Sequence, residues 1–331
     1  MRAITVPTPG GPEALVLADR PDPTPTRGEV RVRVHAAGVN RADLLQRMGH
    51  YPAPADAPAD IPGLEYAGVV DALGEGVTDL AVGDRVFGLV PGGAYAEAVT
   101  VHARAVAKMP DGMTFIEGAA VPEAFITAYD AIVSQGALSA GENLLVHAAG
   151  SGVGTAAIQI GRAIGATVLG TARTADKLER GTKLGLLHGI VAKDAVFAKE
   201  VLARTGKAGA DVVLELVGGA YVAEDVRCLA MKARIVVVGT LAGPSVELDL
   251  STLMRRRACI RGTMLRSRPL EERIQAMQTF ARHVVPLFAA QAPSPLKAVV
   301  DRVFPLAEAG GAHTYMATNE GFGKVILEVV R

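Results

Sequence analysis

Apolar and charged residues alternate over Val30-Arg31-Val32-Arg33-Val34-His35-Ala36, the period-two signature of a strand with one face buried. Shorter apolar runs at residues 66–73 and 85–90 predict two more strands, with Gly74, Gly76 and Gly83-Asp84 supplying turns between them. Pro52, Pro54, Pro58 and Pro62 mark an irregular loop, and a short helix is predicted over residues 41–47. The first third therefore reads as a barrel-like or partly open β domain. After Pro122 the rhythm changes. Continuous apolar strands are predicted at 144–148, 167–171, 212–217 and 235–238, with helices at 155–164 and 175–184 closed by Gly165 and Gly185. Strands alternating with helices predict a parallel sheet covered on both faces. A long amphipathic helix is expected over 270–288 and a last strand over 323–330, which returns to the first domain and makes it discontinuous.

Composition narrows the class. The 331 residues are half hydrophobic, with 34 Lys and Arg against 34 Asp and Glu, so a compact globular protein without a nucleic-acid footprint is expected. The basic run Arg255-Arg256-Arg257 is too short to override that balance and reads as a solvated turn. Two cysteines, Cys228 and Cys259, make no disulfide framework; with no signal peptide evident, they point to a reducing cytoplasm. No stretch of about 18 apolar residues occurs, so no membrane span is expected.

The segment Ala148-Ala149-Gly150-Ser151-Gly152-Val153-Gly154-Thr155 lies between a predicted strand and a predicted helix. Small residues let the backbone turn tightly against a pyrophosphate, and the helix N-terminus offers free N–H groups and the positive end of its dipole. Ser151, Gly152, Val153 and Gly154 are thus candidate cofactor-binding residues. The next strand ends without the acid that would bind a ribose 2′-hydroxyl; Arg173 and Lys177 follow instead, and two cations there favour a 2′-phosphate. NADPH is the expected cofactor. Gly239, Thr240 and Leu241 end a further parallel strand, where ligands of such sheets bind.

Several separated motifs, in order, resemble the zinc-free quinone oxidoreductases of the medium-chain dehydrogenase/reductase superfamily. They are Ala37 to Arg47, Gly63-Leu64-Glu65, Val82 to Val86, Pro91 to Ala96, Ser151 to Gln159 and Leu265-Arg266-Ser267-Arg268, the last two similar to the p53-inducible quinone oxidoreductase branch. The resemblance implies an α/β protein with a GroES-like β-rich catalytic domain at 1–122 and 266–331, and a Rossmann doubly wound parallel sheet that binds NADPH at 123–265. It implies no metal: where zinc-dependent relatives carry Cys and His ligands, this chain has Val39 or Asn40, and Leu64. It places Asn40 near the nicotinamide ribose, although Asn40 is equally suited to capping the helix that follows, as is Asp43. Tyr51 would face the nicotinamide and substrate, and Thr127 would approach the nicotinamide, so Asn40, Tyr51 and Thr127 form the expected catalytic set. Thr263, Met264 and Leu265 would lie near the carboxamide, and Lys324 close to the cofactor.

The implied reaction is hydride transfer from NADPH to a small-molecule quinone or other conjugated carbonyl, for which no dedicated proton donor is evident. A 2-alkenal or enoyl reductase on the same fold, or a non-catalytic NADPH-binding sensor, are the alternatives. A homodimer joined edge to edge near residues 259–265 is expected, in the cytoplasm, with neither nucleic acid nor membrane as partner.

Overall fold

The computed structural model describes residues 1–329 and divides into two compact units. The first contains Met1–Ile126, Leu265–Ala290 and the chain from Lys297 onward; the second contains Thr127–Met264 with Gln291–Leu296.

The strand Glu29–Val39 organises the first unit. Val30, Val32 and Val34 are fully buried, as the alternation requires, while Arg31 turns outward to pair with Asp71 at 2.8 Å. Antiparallel ladders join this strand to Glu65–Leu73, to Ala98–His102 near its start and to Lys324–Glu328 near its end. The C-terminal strand is thus an interior member of a sheet begun by the first third, with Val300–Pro305 parallel beyond it. Residue 330 of the expected strand lies outside the described residues. The helix Leu270–His283 covers this core with Ile274, Met277 and Phe280, and the Phe280 ring packs 5.7 Å from Phe87. It stops at His283, short of the expected 288, because Pro286 cannot extend an α-helix; a 3₁₀ turn, Val285–Phe288, follows.

The second unit is a six-stranded, all-parallel sheet. Its spatial order is His188–Val191, Thr167–Ala172, Asn143–Val146, Ala210–Glu215, Leu229–Val237, Cys259–Gly262. Chain direction across the sheet reverses between Asn143–Val146 and Ala210–Glu215, and this switch point is where such sheets leave a crevice for ligands. The helix after the glycine turn runs Gly152–Ile164, starting three residues before the expected 155 because Ser151 caps it, and ends on Gly165 at φ 89°. The strand His188–Val191 and the helices Ala198–Arg204 and Ala220–Arg227 add to the elements expected from the sequence. No helix among the described residues is long and apolar enough to cross a membrane.

One buried hydroxyl gives a direct test of this packing. Tyr66 is fully buried in the first unit, and its Oη has no hydrogen-bond partner. An unmade hydrogen bond costs about 1–3 kcal/mol. Tyr66→Phe is therefore expected to raise the thermal midpoint by about 2–4 °C per kcal/mol recovered, read by calorimetry. A lowered midpoint would show that the hydroxyl is satisfied.

Candidate active site

In the second unit the glycine turn is held by backbone geometry. Val146 ends its strand, Ala148 adopts the left-handed conformation at φ 46°, and Ser151 N donates to Ala148 O at 2.8 Å. Ser151 Oγ then accepts from Gly154 N at 3.0 Å. A Cβ on Gly154 would lie 2.4 Å from Ala148 O and 2.9 Å from Ala149 Cα, so only glycine fits there. The remaining first-turn N–H groups have no acceptor within the helix and form a cradle for an anion.

The other expected cofactor residues of this unit gather at the same carboxyl edge of the sheet. Arg173 follows Ala172 at a strand end and is exposed, and Lys177 lies in the helix Ala175–Thr182 that comes next. Gly239, Thr240 and Leu241 follow Leu229–Val237; the left-handed Gly218 packs so closely on Thr240 that its Cβ would lie 2.8 Å from Thr240 Cα. Thr263 donates from N to Val237 O at 3.0 Å and from Oγ1 to Asp130 Oδ2 at 3.1 Å, and Met264 beside it is half exposed. Thr127 is buried, yet its Oγ1 has no hydrogen-bond partner. Such an orphan is costly unless a ligand completes it.

Beneath these turns lies a buried polar knot. His147 Nδ1 is 2.7 Å from Thr171 Oγ1, and its Nε2 is 2.7 Å from Asp225 Oδ1. Glu215 Oε1 accepts from Val217 N at 2.5 Å and Gly218 N at 2.9 Å. The knot ties together the turns after three adjacent strands. Burial pushes Asp225 up to about 8, burial together with the neighbouring Asp225 pushes Glu215 up to about 7, and burial pushes His147 down. His147, Glu215 and Asp225 bring ligand-type atoms within 4.8 Å of one another; Asp225 Oδ1 and Glu215 Oε1 serve this network and the turn amides, while Asp225 Oδ2 and Glu215 Oε2 are buried without a hydrogen-bond partner.

In the first unit, Asn40 caps the helix Arg41–Arg47 through its backbone, its N–H donating to Asp43 Oδ2 at 2.8 Å. Its side chain faces elsewhere: Nδ2 donates to Glu65 Oε1 at 2.9 Å, and Oδ1 accepts from Lys324 Nζ at 2.5 Å. Lys324 Nζ also lies 2.6 Å from Glu65 Oε1 and donates to Val39 O at 2.9 Å, so its ammonium is consumed inside the unit. Glu65 Oε2 accepts from Glu123 N at 2.8 Å. Asp43 is fully buried beside Gly63 N and Tyr95 Oη, and burial raises its carboxyl to about 6.

Tyr51 is partly buried with its ring 5.0 Å from the Arg266 guanidinium. Arg266 in turn donates to Pro91 O and Gln46 Oε1, each at 2.6 Å. Arg266 and Glu123 both line a cavity of about 360 Å³ with Leu64, Val90, Leu265 and Met277 among its apolar walls. Leu64 on this wall has an apolar side chain that offers no metal-ligand atom. The structure brings Asn40 and Lys324 into contact and puts Leu265 on the cavity wall. Asn40 and Tyr51 do not line that cavity. Sequence reasoning missed Glu123 and the His147–Glu215–Asp225 knot, and quoted Arg266 only within a motif. The partners of all three lie far away in the chain.

The buried acids of the knot set a pH dependence of stability. Each folded pKa lies above its unfolded value, so between about pH 4.5 and 8 the folded state holds protons that the unfolded state has released. Stability from these groups is present below that window and falls as pH rises through it, by up to about 1.4 kcal/mol per pH unit per proton. Asp225→Asn is expected to flatten this decline in the thermal midpoint measured from about pH 5 to 8.5; an unchanged slope would mean Asp225 is ionised throughout.

Residues 26–111 match the alcohol dehydrogenase GroES-like domain family, and residues 152–282 match the zinc-binding dehydrogenase family. The chain is 33% identical to human quinone oxidoreductase over 335 residues, covering 99% of this chain and 97% of that protein. A segment of the pikromycin polyketide synthase component PikAII of Streptomyces venezuelae is 44% identical over 214 residues, 64% of this chain and 6% of that protein. Escherichia coli quinone oxidoreductase, solved in complex with NADPH, superposes with a TM-score of 0.86 at 26% identity, covering 99% of this chain and 100% of that one. The parallel nucleotide-type sheet, the GroES-like unit and these full-length likenesses agree: the chain is an oxidoreductase that belongs to the medium-chain dehydrogenase/reductase superfamily, among its quinone-oxidoreductase-like members.

Proposed function

We propose that this oxidoreductase draws hydride from NADPH and passes it to quinones or other conjugated carbonyls without a metal. The observation that carries the reading is the glycine turn at the sheet's switch point, followed on the next strand by Arg173 where an acid would select NAD. The residues fit the cofactor: the first-turn N–H groups after Ser151 suit a pyrophosphate, Arg173 and Lys177 suit a 2′-phosphate, and the orphaned Thr127 hydroxyl awaits a polar partner. The NADPH bound to the Escherichia coli relative supports the same choice.

When bound, NADPH supplies the hydride, and this chain's residues supply binding and orientation. Gly239, Thr240, Leu241, Thr263 and Met264 present backbone and side-chain groups at the carboxyl edge. Asn40 is held in place by Glu65 and Lys324. Arg266 holds the Tyr51 backbone and ring in place. A quinone or enone suits this site better than a simple ketone, because its reduced form carries a delocalised, less basic anion. The 44% identity to a polyketide synthase segment favours a second reading, reduction of a conjugated acyl chain. A homodimer also belongs to the proposal. Among the described residues the edge strand Cys259–Gly262 pairs with Leu229–Val237 alone, and an open edge invites a second copy.

Steady-state oxidation of NADPH and NADH with ortho- and para-quinones and 2-alkenals tests the reading. Arg173→Ala is expected to raise KM for NADPH about 10- to 100-fold, the value of a lost charge-assisted hydrogen bond, and to leave NADH unaffected. Equal effects on both cofactors would refute the 2′-phosphate assignment. Light scattering should give twice the 34.3 kDa chain mass, and a monomer would dismiss the edge-to-edge dimer.

A further inference from the structure

We propose that Tyr221 reads the 2′-phosphate of the cofactor together with Arg173, its phenol donating to a phosphate oxygen. This rests on the NADPH reading above and adds a specificity-determining residue from a different strand, wholly within the second unit.

Tyr221 stands in the first turn of the helix Ala220–Arg227. That helix follows the strand Ala210–Glu215, which lies beside Asn143–Val146, the strand that leads into the glycine turn. The tyrosine ring is held by its neighbours. It meets the His147 ring edge-on at 5.0 Å and the Phe197 ring at 5.2 Å. Asp225, one turn further along the same helix, bonds His147 Nε2 at 2.7 Å and pins the helix to it. His147 itself joins the strand end at Val146 to Ala148 of the glycine turn. Its other nitrogen is 2.7 Å from Thr171 Oγ1, and Thr171 stands two residues before Arg173. A single imidazole therefore bridges the tyrosine ring and the strand that Arg173 follows.

The ring is packed, but its hydroxyl is uncommitted. Tyr221 is half-buried, and its hydroxyl makes no hydrogen bond among the described residues. Unlike that of Tyr66, it is not sealed inside its unit. Burial first, and then Glu215, raise the phenol above its ordinary value; the Arg173 cation opposes them and Asp225 adds to them. The phenol keeps its proton and can donate. A phosphate monoester presents three strong acceptor oxygens, more than one guanidinium fork fills. Arg173 supplies the charge and Tyr221 a neutral donor for a remaining oxygen. A ribose 2′-hydroxyl offers neither residue an anion.

Tyr221→Phe tests this, because it keeps the ring against His147 and Phe197 and removes only the hydroxyl. The fold is expected to survive, which the thermal midpoint checks, and a ring that serves packing alone would leave phosphate recognition unmoved. Titration calorimetry with adenosine 2′,5′-bisphosphate and adenosine 5′-monophosphate reads the site without turnover. The wild type is expected to bind the bisphosphate more tightly. Tyr221→Phe is expected to bind the bisphosphate about tenfold more weakly than the wild type does, the value of a hydrogen bond to a charged group, and the monophosphate within about threefold. An equal loss on both fragments overturns the inference, since the hydroxyl would then serve the shared part of the ligand. A wild type that shows no preference for the bisphosphate overturns the NADPH reading and this inference together. A wild type that prefers it, beside a Tyr221→Phe variant that prefers it equally, overturns this inference alone.

Discussion

The buried pair of Glu65 and Lys324 is the interaction on which the first unit's chemistry depends. Both residues are at most 5% exposed in their side chains and stand 2.6 Å apart. Removing one partner of such a pair strands a charge in a poor solvent, at about 3–5 kcal/mol. The pair is possible because Gly38 has no side chain: a Cβ there would sit 2.2 Å from Glu65 Oε1 and 2.7 Å from Ala119 O. From the pair radiate the orientation of Asn40, the docking of the C-terminal strand against Val39, and the placement of Glu123 through its N–H.

Burial raises carboxyls in both units above their ordinary range. Glu65 takes the one ammonium within reach, so Asp43 and Glu123 are buried without a free cation and keep their protons to higher pH. In the second unit Glu215 and Asp225 face a histidine that burial keeps neutral. Desolvation wins over Coulomb attraction wherever the nearest cation is already satisfied. In the second unit the result is structural, since the knot fixes the turns that form the cofactor cradle. In the first unit it leaves a proton beside a cavity.

The strand Glu29–Val39 was legible because it has a core face and a wetter face, which writes a period of two into the chain, and Glu65–Leu73 was legible as an apolar run. The apolar strands of the parallel sheet were legible from their glycine boundaries. His188–Val191 was not, since His-Gly-Ile-Val carries too few apolar residues to stand out and becomes a strand only by pairing with Thr167–Ala172. The helix Leu270–His283 was read too long because apolar periodicity continues through Val284 and Leu287 although Pro286 forbids the α-helix.

By itself, the sequence determined the alternation of strands and helices, the glycine turn from Ser151 to Gly154 and the cations that follow it, because these are local patterns of size, charge and backbone freedom. The tertiary structure alone decided which acids hold their protons to higher pH and which cations are spent. Lys324 meets Asn40 across 284 positions, Arg266 meets Gln46 across 220, and His147 meets Asp225 across 78. A carboxyl's proton depends on what surrounds it in space, and no local pattern records neighbours that distant.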